Sequence, residues 1–214
     1  MERGRSPSLT DNLYEGGLVA AGEQAGGPSA WVGMWLPLAP HEGATALDVA
    51  CGRGRHVRLA HGRGYDVTGV DRDVSGVEGF TQFLEPGHRA GVRLIGVDLE
   101  AGTPWWWARQ PFDVVIVTNY LHRPRLRDLV GAVAADGMLI YETFAVGHER
   151  FGKPSNPDFL LRPGELLEAK GRLVPFAYEH VVLGGSRIVQ RIVAVGPEHQ
   201  WIAGRGGALA VDVS

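Results

Sequence analysis

The sequence predicts an α/β fold with a mostly parallel sheet, helices on both faces and an antiparallel hairpin at the end. Three observations predict it. From Thr45 onward, short apolar runs alternate with helix-forming segments, the pattern of strands joined by crossover helices. The first run, within "ALDVACGRGRH" at 46–56, ends in an acid and a glycine-rich turn just where a helix begins. The chain then reaches two strand-like runs, "RLVPFAYEHVVL" and "SRIVQRIVAV", joined by "GGS", a hairpin signal.

The elements follow in order. Residues 1–27 are rich in Gly, Ser and Ala and read as a loosely ordered arm. In "GPSAWVGMWLPL", Ser29 is a candidate N-cap, and Trp31, Met34 and Trp35 stand at helical spacing on one face. That face suits a helix packed on the core; a Trp bordering a ligand is the sharper alternative. "TALDVA" reads as a strand and "RHVRLAHGRG" as a helix stopped by glycine. "YDVTGVD" is a second strand, "VSGVEGFTQFL" a helix weakened by two glycines, and "GVRLIGVD" a third strand. "FDVVIVTN" is the strongest strand, with near-continuous apolar character. "RPRLRDLVGAVAADG" contains a helix with its glycine stop, and "MLIYETF" is a fifth strand. "AVGHERFGKPSNPDF" is long and polar; "RPGELLEAK" is a helix opened by proline. Residues 28–195 form the expected domain, and 196–214 a tail of no clear pattern.

Composition narrows the function classes. A chain of 214 residues is enough for one substantial domain. Its net charge of -3 is not that of a phosphate-backbone binder. One cysteine, Cys51, rules out an internal disulfide and fits a reducing, cytoplasmic setting, with the thiol a small packed residue. No apolar run approaches the ~18 residues of a membrane span, and "MERGRSPSLTDN" lacks the apolar core of a secretory signal. A membrane partner is not expected, nor is a metal site. Nothing in the pattern specifies an oligomeric state.

In an open α/β sheet, ligands sit beyond the carboxyl ends of the strands where strand order reverses. Gly52 and Gly54 let the backbone turn sharply and approach a ligand, and the following helix offers free N–H groups. A dinucleotide fingerprint G-x-G-x-x-G is only partly met, because Val57 stands at the third glycine. The alternative uses acids that the fingerprint leaves idle: Asp48 before the turn, Asp71 at the second strand end and Asp98 at the third. S-adenosylmethionine carries an ammonium, a ribose diol and an adenine amine, all donors, and carboxylates accept only. Asp71 is the expected ribose ligand. Asp98, with the Leu99 backbone, is expected at the adenine, and Asp48 at the ammonium.

These residues also carry a resemblance. "LDVACGRGRH", "VTGVDRD", "VDLE" and "FDVVIVTNYLHRP" resemble the class I S-adenosylmethionine-dependent methyltransferases. "NYLHRP" with "LIYETFAVGHERFGKPSNPDFLLRPGELL" is similar to a bacterial subgroup related to the tellurite-resistance-type enzymes. The resemblance covers about residues 28–195 and implies a Rossmann-like seven-stranded sheet with a reversed terminal hairpin. Its one departure is Arg55 at the third glycine of the class-wide loop. The expected cofactor set is Asp48, Ala50, Gly52, Gly54, Asp71, Arg72, Asp98, Leu99, Thr118 and Asn119.

A sulfonium methyl is already electrophilic, so orientation can supply most of the catalysis, and a base is needed only for a protonated nucleophile. Tyr120 and His122, after the fourth strand, and Glu142, ending the fifth, are the candidate catalytic side chains; packing or capping is their alternative role. The stretch 145–160 is long for a connection and reads as a lid, and His148, Arg150, Lys153 and Arg162 could attract an anionic substrate. One of Trp105, Trp106 and Trp107 could stack on adenine or cover a sheet edge. The D/N-P-P-Y/F loop of base-amine methylation is absent, since Tyr120 and Leu121 follow Asn119, and no basic, aromatic-interleaved patch appears; nucleic acid is not expected. The expected acceptor is a small molecule, such as a chalcogen oxyanion, a thiol or another small anion. An NAD-dependent oxidoreductase and a non-catalytic S-adenosylmethionine-binding module remain the alternatives.

Overall fold

The computed structural model describes residues 26–39, 43–81, 91–102, 105 and 110–202. Seven strands form one sheet: β1 (Thr45–Val49), β2 (Asp66–Asp71), β3 (Val92–Gly96), β4 (Phe112–Thr118), β5 (Val133–Phe144), β6 (Val174–Leu183) and β7 (Arg187–Val195). Their order is β3-β2-β1-β4-β5-β7-β6. The neighbours among β1 to β5 pair in parallel, and β7 is antiparallel to both β5 and β6. The expected Rossmann-like sheet with its antiparallel hairpin is therefore present. The structure adds the placement: β7 inserts beside β5, so β6, on the edge, runs with the parallel strands again.

Strand alternation sorts the core into two layers. Leu47, Val49, Val115, Val117, Leu139 and Tyr141 face one side. Ala46, Val114, Ile116, Met138 and Ile140 face the other, where Trp31 and Trp35 cover them. The covering helix is α1 (Ala30–Trp35), capped as expected: the Ser29 hydroxyl accepts from the Trp31 amide at 3.1 Å. Met34 departs from the expected face, being 39% exposed. The buried stripe runs through Trp31, Val32, Trp35 and Leu36, which leaves Met34 at its margin.

The remaining helices are α2 (Arg55–His61), α3 (Ser75–Thr81), α4 (Leu126–Gly131) and α5 (Glu165–Ala169). The α5 helix starts after Gly164, at φ 76°, rather than on Pro163. A larger correction falls at α4. The helix ends at Gly131, and Gly137 is not its stop but part of β5, which begins at Val133. Val133 pairs with Phe112, and after a register shift Met138 pairs with Val114. At that bulge a Cβ on Gly137 would lie 2.9 Å from the carbonyl oxygens of both Asp113 and Phe112.

The bulge also holds the chain beyond residue 195. Gly196 N–H donates to Gly137 C=O at 2.8 Å, and Glu198 N–H to Ala135 C=O at 2.9 Å. Trp201 then packs on Phe176, with ring centroids 4.3 Å apart, and His199 is buried. Residues 196–202 thus pack on the domain that the sequence pattern ended at 195. The rest of the tail and residues 1–25 of the arm lie outside the described residues, as do Trp106 and Trp107. Among the described residues, no helix is long and apolar enough to cross a membrane.

A Cβ on Gly196 would lie 2.0 Å from the Ala135 carbonyl oxygen, a backbone atom with no side-chain freedom to retreat. Gly196→Ala is expected to destabilise the fold by about 3 kcal/mol or more, the upper end of overpacking costs, read by urea denaturation. A change under ~1 kcal/mol would mean that the bulge yields.

Candidate active site

Strand order reverses between β1 and β4, so the loops that follow these strands diverge and leave a crevice at the carboxyl rim. A cleft of about 260 Å³ lies beside it, lined by Ala50, Asp71, Arg72, Asp98, Leu99, Glu100 and Tyr120. Six of these seven are residues the sequence picks out; Glu100 is the addition.

The loop after β1 is built from left-handed backbone: Ala50 at φ 56°, Gly52 at 52° and Gly54 at 71°. Gly54 is required there, since a Cβ would lie 2.7 Å from a Val77 methyl carbon. Ala50 is where glycine would be the ordinary occupant, so the structure puts the strained position of the loop at Ala50 rather than Arg55. Asp71 fastens the loop: its Oδ2 accepts from Gly52 N–H at 2.8 Å and its Oδ1 from Asp73 N–H at 3.0 Å. A carboxylate has about four acceptor positions, so Asp71 keeps capacity for a ligand. Cys51 is buried beside this loop, and burial pushes its thiol up, consistent with packing.

Across the cleft, Asp98 Oδ1 accepts from Glu100 N–H at 2.9 Å, and Trp105 Nε1–H donates to Leu99 C=O at 3.3 Å. Trp105 is buried there, with Arg125 over its ring. Tyr120 is held from behind: Tyr141 OH donates to its carbonyl at 2.8 Å. The Tyr120 hydroxyl is buried without a hydrogen-bond partner, and burial, then Glu100, push its pKa up. His122 Nδ1 lies 4.0 Å from Glu100 Oε2. Asn119 is exposed at φ 55°, its N–H donating to Glu142 C=O at 3.0 Å.

Asp48 and Thr118 sit deeper, on the sheet face that α1 covers. Asp48 is 1% exposed, and neither carboxylate oxygen completes a well-formed hydrogen bond. Burial, against the pull of Arg55, raises its pKa from 3.8 to about 8. His56 Nδ1 stands 4.0 Å from Asp48 Oδ1 and 3.4 Å from Thr118 Oγ1. Arg55 reaches Thr118 Oγ1 at 3.3 Å and Gly27 C=O at 3.1 Å.

Two expectations are corrected. Glu142 is no free acceptor at the strand end. It is 1% exposed, takes the Ser29 hydroxyl at 3.0 Å, and pairs with Arg191 at 3.5 Å and Arg187 at 3.9 Å. Its charge is needed to hold those partners. Second, the four cationic residues do not converge. His148 is buried, stacked on Phe144, with Nε2 on Lys153 C=O at 3.1 Å and Nδ1 accepting from Ile188 N–H at 3.4 Å. It pegs the loop down. Arg162 is turned to Glu165 at 3.4 Å, while Arg150 and Lys153 remain exposed.

Sequence reading missed what fastens that loop. Arg123 donates to Asp158 C=O at 2.7 Å, Leu160 C=O at 2.8 Å and Glu165 at 2.7 Å. Burial pushes the Glu165 pKa up, but Arg123 and Arg162 hold it below its ordinary value. These partners lie 35–42 residues away, and no local signal marks them. His56 did carry a signal: it shares the buried helix face of Val57 and Ala60, directly after the turn.

The strand order, with the crevice and the left-handed turn at its reversal point, is similar to the fold of S-adenosylmethionine-dependent methyltransferases. Residues 46–135, from β1 into β5, match the methyltransferase domain family. Among solved structures, a TehB-like SAM-dependent methyltransferase from Corynebacterium glutamicum is similar at 21% identity, covering 87% of this chain and 94% of that one, with a TM-score of 0.56. TehB from Haemophilus influenzae is 18% identical over 78% of this chain and 61% of its own, with a TM-score of 0.58. The Burkholderia thailandensis 1,6-didemethyltoxoflavin-N1-methyltransferase, solved with its acceptor and S-adenosylhomocysteine, is 18% identical over 72% of each chain, with a TM-score of 0.53. No curated protein sequence matches the chain.

The buried Asp48 carboxyl makes apo stability depend on pH. With its pKa raised to about 8, the folded protein keeps a proton that the unfolded chain loses near pH ~4. Its contribution is therefore full below pH ~4 and is lost as pH rises toward 8, at up to ~1.4 kcal/mol per unit. Asp48→Asn should gain stability relative to wild type across that window. Urea denaturation at a series of pH values reads the difference; a constant gap would show that Asp48 does not carry the proton.

Proposed function

We propose that the protein transfers the methyl group of S-adenosylmethionine to a small-molecule acceptor. The observation that carries this reading is the joint placement of Asp71, Asp98 and Leu99 on one cleft beside the glycine turn. Its volume of about 260 Å³ is just under the ~300 Å³ floor of common ligand pockets. Asp71 takes the ribose diol, and Asp98 with the Leu99 backbone takes the adenine edge. Gly52 and Gly54 keep the turn open, Ala50 and Arg72 flank it, Asn119 lies exposed after β4, and Thr118 lies beneath with Arg55 and His56. Asp48, whose orphaned buried oxygens require a donor, answers the ammonium. When bound, the cofactor supplies a methyl group already activated on a sulfonium.

The protein's own task is then to align and desolvate. Tyr120, which lines the cleft and whose hydroxyl is buried without a hydrogen-bond partner, is the side chain best placed to orient an acceptor or the bound cofactor. The acceptor fits a small, soft or anionic nucleophile, such as a chalcogen oxyanion or a thiol. The exposed Arg150 and Lys153 support that class, as does the resemblance to the tellurite-resistance-type subgroup. Such acceptors are nucleophilic with little or no deprotonation, so His122 is not required as a base.

Calorimetry should show S-adenosylhomocysteine binding and no NAD binding. Asp71→Asn should weaken S-adenosylhomocysteine by about 1.5–3 kcal/mol, the range for a hydrogen bond to a charged group. Unchanged affinity would remove the ribose assignment, and NAD binding would return the oxidoreductase reading.

With an acceptor found from a panel, Arg150→Ala and Lys153→Ala should raise KM more than they lower kcat. His122→Ala should cost well under the ~10²-fold typical of a lost general base. Collapse of kcat in His122→Ala, with loss of one limb of the pH profile, would favour an acceptor that must be deprotonated.

A further inference from the structure

Behind the cleft a buried histidine links the cofactor turn to the start of α1. His56 is 1% exposed and stands in the first turn of α2. Its Nε2 lies 3.0 Å from Ser29 N. A backbone N–H can only donate, so Nε2 carries no proton. Burial, reinforced by Arg55, lowers the His56 pKa to about 3, and the ring stays neutral with its proton on Nδ1. That N–H faces Thr118 Oγ1 at 3.4 Å and Asp48 Oδ1 at 4.0 Å. Ser29, which fixes the ring, is itself fixed: its hydroxyl donates to Glu142 and accepts from the Trp31 amide.

The chemistry of this arrangement is selective. At 4.0 Å the ring makes no hydrogen bond to Asp48, but its N–H dipole favours the ionised carboxylate without cancelling its charge. A cation in the same place would neutralise it and leave nothing for a ligand's ammonium. The other charged or titratable groups that act on Asp48 are Arg55, Asp71 and the neighbouring Cys51 thiol. The Arg55 guanidinium is directed to Gly27 C=O and Thr118 Oγ1.

We propose that His56 is a positioning residue for the cofactor: gripped by the Ser29 N–H, it aims the Asp48 carboxylate, so that the seating of α1 and the hold on the methionine end of the cofactor rise and fall together. The inference rests on the assignment of Asp48 to the ammonium under the proposed function. It reaches no acceptor and takes no proton during the reaction.

The test is calorimetry with two ligands, S-adenosylhomocysteine and adenosine, on the full chain. Adenosine lacks the amino-acid end and reports only the nucleoside seat. His56→Phe keeps a ring and loses the contacts to Ser29, Thr118 and Asp48. It should weaken S-adenosylhomocysteine by about 10- to 100-fold and leave adenosine within about twofold. His56→Gln, which can accept from Ser29 N–H and donate toward Asp48, should recover most of the loss. If the Phe variant does not fold, His56→Asn, too short to span both partners, takes its place. Unchanged S-adenosylhomocysteine affinity, or an equal fall for both ligands, would overturn the positioning role. Failure of the wild type to bind S-adenosylhomocysteine at all would instead overturn the proposed function, before any variant is measured.

Discussion

The carboxyl rim depends on one constraint, a polar row across four strands that carries a buried charge, Glu142, at its centre. Thr118 on β4 stands opposite Glu142 on β5, Glu142 opposite Arg191 on β7, and Arg191 opposite Glu179 on β6. Arg191 reaches both acids, and its guanidinium lies 4.5 Å from the Trp31 ring centroid. A charge as buried as Glu142 is tolerated only while it keeps partners, here Ser29, Arg191 and Arg187. The row therefore fixes the register of the reversed strand β7. It also fixes where α1 lands, because Ser29 bonds Glu142 and Trp31 covers Arg191. With α1 in place, Ser29 reaches His56, and the rim is linked as far as the glycine turn.

The two-residue period of the strands decides which acids reach the cleft. Asp48 shares the face of Ala46, and Glu142 that of Ile140, so both point under α1. Asp71 and Asp98 stand at the ends of β2 and β3 and line the open cleft instead. A row of three acids along a rim is thus split into two open to a ligand from the side and one held beneath the turn. The split gives the cleft a charge pattern suited to donors. Among the described residues that line it, Asp71, Asp98 and Glu100 stand with Arg72, and the buried Asp48, protonated in the free protein, would ionise only for a cationic partner that reaches the turn.

What the sequence made legible was whatever its local period controls. Alternating apolar runs marked the strands, glycines marked the turn, and Ser29 marked the cap, because each rests on interactions within a few residues. The errors share the opposite cause. Gly137 resembled a helix stop, yet its role is set by the Asp113 and Phe112 carbonyls across the sheet. Glu142 looked like a free strand-end acid, since Ser29 and the two arginines that claim it arrive from distant parts of the chain. His148 looked like a substrate ligand until Phe144, Lys153 and Ile188 were seen to enclose it. The inserted position of β7 likewise leaves no local mark, because a hairpin reads the same whichever of its strands joins the sheet.

The same long-range contacts limit how the loop after β5 can move. Its near end is pegged by His148 against β7, and its far end is clamped by Arg123 at the carbonyls of Asp158 and Leu160. Gln190 adds a third hold, donating to Arg162 C=O at 2.6 Å. Between these fastenings lie Glu149 to Pro157, the stretch that carries the exposed Arg150 and Lys153, itself held at the Lys153 carbonyl by His148. The segment is thus held at both ends and at the Lys153 carbonyl. Arg123 follows Tyr120 and His122 directly, so the residue that clamps the loop belongs to the same turn as the candidate orienting side chain. Displacement of that turn by a ligand would be felt first at the clamp, and through it at the cations beyond.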